Sequence, residues 1–127
     1  MFERPDELVA DYSPLRVRRV PYRADLEVVT VAGEVDLRTA PELARALRAD
    51  QQPLTVVDLT RVTFMSAAGL GILVQAAEQA NERGRRLGLV AHDRVALRML
   101  RMSGVAAAIP TFVSLSDAVR ELAAQVH

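Results

Sequence analysis

Three residues have the types needed for nucleophilic catalysis: Ser66 as nucleophile, His92 as base and Asp58 as the acid that would orient it. Asp58 and His92 fall at or just past the ends of two expected strands, and Ser66 opens the helix after one, so an α/β sheet could gather them. The surroundings argue against acyl transfer. The chain has no Gly-x-Ser-x-Gly elbow and no second glycine-rich loop to form an oxyanion hole. Gly69-Leu70-Gly71 lacks the glycine and lysine spacing of a P-loop or a dinucleotide fingerprint, and close packing in the first turns of a helix explains its glycines better. His92 reads as a loop residue and His127 ends the sequence; two histidines without cysteine do not make a metal site. What remains is a serine able to cap a helix, at a point where unpaired backbone N–H groups favour a phosphate or a partner's acidic side chain.

Two charged groups carry weaker signals. Arg94, Arg98 and Arg101 recur at helical spacing and form a basic stripe, which is either solvated or a docking contact for an acidic protein. Glu34 and Asp36 lie at the carboxyl end of a strand, where a loop should approach the Ser66 helix. Sixteen basic and sixteen acidic residues cancel in 127, and 4% aromatic residues leave little to stack on bases, so nucleic acid is not an expected partner. The absence of cysteine excludes disulfides and thiolate sites and fits a reducing cytosol. No apolar run is long enough to enter and span a bilayer, and the polar start is unlike a signal peptide, so the expected location is the cytoplasm.

The elements that must position these residues follow from periodicity. Residues 1–13 read as a leader with a short helical turn near Asp6 to Val9, and 14–127 as one domain. Leu15, Val17 and Val20 alternate with arginines in an edge strand that Pro21 breaks; Leu26 to Ala32 is a β-branched strand ending at Gly33. The Pro21 to Asp25 connection makes the two an antiparallel hairpin. Thr39, Pro41 and Glu42 start a helix that buries Leu43, Ala44 and Leu47 and ends before Pro53. Leu54 to Leu59 is a buried central strand, followed by a turn at Thr60 to Thr63. From Ala67, the residues Leu70, Leu73, Val74, Ala77 and Ala80 mark a long helix with Gln75, Glu78, Gln79 and Glu82 in water, stopping near Gly84. A strand at Leu87 to Ala91, a short helix at Arg94 to Met102, a strand around Ile109 to Phe112 and a closing helix at Ser116 to Val126 complete the chain. The order argues for an α/β fold: a mixed, mostly parallel sheet with an antiparallel N-terminal edge strand, packed with about four helices.

Asp58-Leu59 followed by Phe64-Met65-Ser66-Ala67-Ala68-Gly69-Leu70-Gly71 resembles the signature of STAS-domain anti-sigma factor antagonists, the anti-anti-sigma factors of bacterial partner switching. Gly33-Glu34-Val35-Asp36-Leu37, with Ala40 and Leu43, is similar to that family's Gly-Glu-Ile-Asp strand end and first helix. Met102-Ser103-Gly104-Val105 and Ser116-Asp117-Ala118 resemble its third-helix stop and last-helix start. The resemblance covers roughly Leu15 to Ala124.

It implies a single STAS domain that is a binding protein, not an enzyme, and needs no cofactor. Its implied partner is an anti-sigma factor with a histidine-kinase-like ATPase domain, whose capture frees a sigma factor for transcription. The docking face that the resemblance implies combines Glu34 and Asp36 with Met65, Ser66, Ala67, Ala68, Gly69 and Ile72. In the family the kinase phosphorylates the serine just before Gly-Leu-Gly; here that position is Ala68, which has no hydroxyl. Ser66 is then the remaining candidate phosphosite, with Thr63 weaker. Two alternatives share the fold: a STAS subunit of a lipid-transporting ABC complex, and a small-ligand or nucleotide sensor that uses the same helix end.

Overall fold

A computed structural model describes residues 14–48 and 52–124. The expected leader and His127 lie outside them. The described elements run β1 (Leu15–Arg23), β2 (Leu26–Val35), α1 (Ala40–Arg48), β3 (Leu54–Met65), α2 (Ala67–Glu82), β4 (Arg86–Val90), α3 (Arg94–Met102), α4 (Val105–Ala108), β5 (Thr111–Phe112) and α5 (Leu115–Ala124). The five strands form one sheet in sequence order, with β1 antiparallel to β2 and every other pairing parallel.

Alternation along the strands divides the core between two faces. Val29, Val31, Val57 and Leu89 meet Leu43 and Leu47 of α1, Leu73 and Ala77 of α2, Leu100 of α3 and Val105 of α4. On the opposite face Leu26, Val28, Leu54 and Val56 pack against Ala118 and Leu122 of α5. Burying a leucine such as Leu43, Leu73 or Leu122, each 0% exposed, contributes roughly 1.5–3 kcal/mol, so both layers hold the sheet. Glu27, only 7% exposed, faces the helical side and is paired with Arg19 across the hairpin at 2.7 Å.

The structure corrects several expected boundaries. Pro21 does not end β1: it pairs with Glu27, and the irregularity falls between Pro21 and Arg23, which an edge strand tolerates. β2 passes through Gly33 to Val35. Gly33 has φ +103°, and a Cβ there would overlap the Pro14 carbonyl oxygen, so only glycine lets Glu34 N–H donate to Pro14 O at 2.8 Å. Thr60 to Thr63 is not a turn, because β3 continues to Met65 beside β2. Register shifts accommodate it: Thr30 pairs with Asp58 but Ala32 with Arg61, and Gly33 with Val62 but Glu34 with Phe64. β3 thus carries two extra residues, the bulge device that bends and twists a strand. A helix beyond the expected four, α4, is a single turn after Gly104.

Candidate functional site

β4 pairs with β3 only as far as Asp58, so the last part of β3 leaves the sheet with β2 alone as neighbour. This two-stranded ribbon carries both expected site segments. Val35 and Met65 are register partners, and Ser66 N–H donates to Val35 O at 2.8 Å, fixing the start of α2 against the end of β2. Ser66 is extended (φ −83°, ψ 171°) and its Oγ accepts from Gly69 N–H at 3.4 Å, a long N-cap bond.

Glycine at 69 is required by packing. A Cβ there would overlap Met65 Sδ and lie 2.6 Å from Val35 Cγ1. Gly71 has no such reason among the described residues, where a Cβ at 71 would meet nothing within 4 Å. Close packing within the chain therefore explains the first glycine and not the second, which faces an open groove between α2 and the Ser103–Val105 turn.

The β2–α1 loop is built on Asp36. Its Oδ1 accepts from Arg38 N–H at 2.9 Å and Thr39 N–H at 3.0 Å, while Asp36 N–H donates to Thr39 Oγ1 at 2.9 Å. The Thr39 hydroxyl, 2.9 Å from Glu34 O and 3.2 Å from Asp36 Oδ1, donates its one proton to either. The Thr39 N–H bond above all holds the Asp36 carboxyl below its ordinary value, over a smaller opposing effect of burial. Asp36 thus orders its own loop, and Glu34 and Leu37 beside it are exposed.

The expected site residues divide by orientation. Ala67 is exposed, Ser66, Ala68 and Ile72 are half-buried, and Met65 and Gly69 are buried. Met65, at 8%, is turned into the helical core, so its side chain supports the site from beneath instead of supplying the expected apolar contact. Phe64 and Leu37, 52% and 81% exposed, are the apolar residues presented there. Alternation along the strand could have shown that Phe64 and Met65 point to opposite faces, but the stretch did not read as strand.

The triad does not assemble. Asp58 and Ser66 are ends of one extended stretch, which at ~3.3 Å per residue, with the two extra residues of β3 discounted, puts them roughly 20 Å apart. Asp58 Oδ1 instead accepts from Thr60 N–H at 2.9 Å, and His92 is exposed. Among the described residues no group of three acidic, histidine or cysteine side chains could hold a metal ion, and no helix is long and apolar enough to cross a membrane.

A family model described as "Mlab, STAS domain" matches residues 22–116, the whole stretch from the hairpin to the start of α5. The chain belongs to the STAS-domain family. The STAS domain is 33% identical over 95 residues to the anti-sigma-F factor antagonist RsfB of Mycobacterium tuberculosis, covering 72% of this chain and 77% of that one. It is 34% identical over 80 residues to the anti-sigma-B factor antagonist of Listeria monocytogenes, covering 61% and 70%. A crystal structure of an anti-sigma factor antagonist from Mycobacterium paratuberculosis superposes with TM-score 0.77 at 29% identity, over 86% of this chain and 94% of that one. These relatives support a general role in anti-sigma factor antagonism, which is regulatory binding and not typical enzyme work.

Proposed function

We propose that this STAS domain is an anti-sigma factor antagonist of the cytoplasm that binds an anti-sigma factor with a histidine-kinase-like ATPase domain and so releases a sigma factor. The observation that carries the reading is the likeness to RsfB across most of both chains. The site supplies a matching surface: Ser66, Ala67 and Ala68 at the start of α2, with Glu34, Asp36, Leu37 and Phe64 from the β2–β3 ribbon. Gly71 supports it too, since an exposed helical glycine costs roughly 0.5–1 kcal/mol relative to alanine and nothing among the described residues requires it. A closely approaching partner would give it a role.

Ala68 occupies the position that the family resemblance assigns to the phosphoacceptor, and its side chain has no group to phosphorylate. The domain therefore stays competent for its partner under conditions that would add about −1.5 to −2 charge to a serine there. Ser66 is the phosphorylatable residue of this turn; its long bond to Gly69 N–H leaves the hydroxyl weakly held.

Affinity capture on the immobilised protein from a lysate of the source organism, read by mass spectrometry, tests the reading. Enrichment of a protein with a histidine-kinase-like ATPase domain supports it. Enrichment of ABC-transporter subunits without such a protein would replace it with the transporter alternative.

A further inference from the structure

Helix α3 is amphipathic in an unusual way, because its outward face is both cationic and apolar. Arg94, Val95, Arg98, Arg101 and Met102 fall on one side at helical spacing, and all five are exposed. Val95 and Met102 are 74% and 75% exposed, more than any other large apolar residue described except Leu37, whereas Leu100 on the opposite side is fully buried. Arg98 Nε approaches Met102 Sδ at 3.5 Å, so guanidinium and thioether form one surface. Among the described residues none of the three arginines is in a salt bridge. The helix itself carries no acidic residue; Asp93, its N-cap, spends a carboxylate oxygen on Ala96 N–H at 3.2 Å. In a chain of zero net charge this is a local concentration of unpaired cations.

Its position gives it a partner. α3 ends at Ser103, and Ser103 and Val105 form one wall of the open groove whose other wall includes Ala68 and Gly71. The C-terminal end of α3, where Met102 directly precedes Ser103, therefore lies beside the surface assigned above to docking. We propose that the docking surface extends across this groove onto α3, where Arg94, Arg98 and Arg101 receive an acidic patch of the same anti-sigma factor and Val95 and Met102 seat an apolar side chain beside it. The inference rests on the reading under Proposed function. The chemistry of the face specifies carboxylates flanking an apolar anchor, an arrangement in which charge sets encounter and buried apolar contact sets residence time.

The test measures association and dissociation rates of the full chain with the captured kinase-type anti-sigma factor at low and physiological salt. It compares wild type with Arg98→Glu/Arg101→Glu, Arg98→Gln/Arg101→Gln and Met102→Ala, each checked for an unchanged unfolding midpoint. The glutamate pair should weaken binding about tenfold or more, mainly through slower association, and flatten the salt dependence. The glutamine pair should fall between it and wild type, and Met102→Ala should speed dissociation. Wild-type binding that all three variants retain unchanged would overturn the α3 contact and leave the reading under Proposed function standing. No binding by wild type would overturn both. Sedimentation of wild type with phosphatidylglycerol vesicles, lost in the glutamate pair while anti-sigma binding is unchanged, would assign α3 to a membrane surface and also overturn the proposal.

Discussion

Gly69 and Val35 are in such close approach that a Cβ on the glycine would lie 2.6 Å from Val35 Cγ1. The first turn of α2 is thereby pressed onto the end of β2, and the two segments of the proposed docking face share one foundation. Gly69→Ala should cost about 1–3 kcal/mol, because the β-branched Val35 cannot move aside without leaving its rotamer. Gly71→Ala should have the opposite effect, stabilising the fold by about 0.5–1 kcal/mol, since its new methyl group meets none of the described residues. Urea denaturation of both variants measures the contrast. Loss of partner affinity in the more stable Gly71→Ala would mark that glycine as kept for binding.

Thr55 is part of the central strand β3, 1% exposed, and its hydroxyl has no hydrogen-bond partner among the described residues. Thr55→Val keeps the shape and removes the buried polar group, so it should raise stability by about 1 kcal/mol, read as a higher urea midpoint at unchanged slope.

Asp36 gives the fold a dependence on acid. Its carboxyl is held below the ordinary 3.8 by the Thr39 and Arg38 N–H groups, so its stabilising contribution is complete above that value and fades as the pH falls through the lowered folded-state value. Asp36→Ala should be less stable than wild type at pH 7, and the gap should narrow below about pH 4. Denaturation midpoints of both proteins at pH 7 and pH 3 test this; a gap of constant size would remove the carboxylate from the stability of the loop.

The parts of the fold that show in the sequence are those where one period dominates. α2 carries an apolar stripe from Leu70 to Ala80 opposite Gln75, Glu78 and Glu82, and it ends where expected, at Glu82 with Gly84 in the left-handed region. The end of β3 was illegible for a physical reason. Thr60 to Phe64 is a polar, Thr- and Arg-containing run whose alternation is disrupted by two extra residues, and its pairing is specified by β2, a tertiary fact. That misreading moved Met65 to the surface and hid Phe64. The N-cap at Ser66 was legible because capping depends on short-range chemistry, whereas Asp36 reads only as a charged residue at a strand end and not as the acid that binds the Arg38 and Thr39 N–H groups. The openness around Gly71 was not, since sequence cannot distinguish a glycine that fits a crowded contact from one that faces empty space.

The central claim is that a partner docks on the start of α2 and that Ala68 keeps this face free of charge. Calorimetric titration of the captured anti-sigma factor with wild type and Ala68→Asp tests it most directly. Ala68 is half-buried at the helix start, where an acidic side chain complements the dipole, so the variant should fold with little change in unfolding midpoint. The expected result is affinity lowered about tenfold or more, roughly 1.4 kcal/mol or above. Equal affinity for the two proteins would contradict the claim and move the docking face elsewhere on the domain.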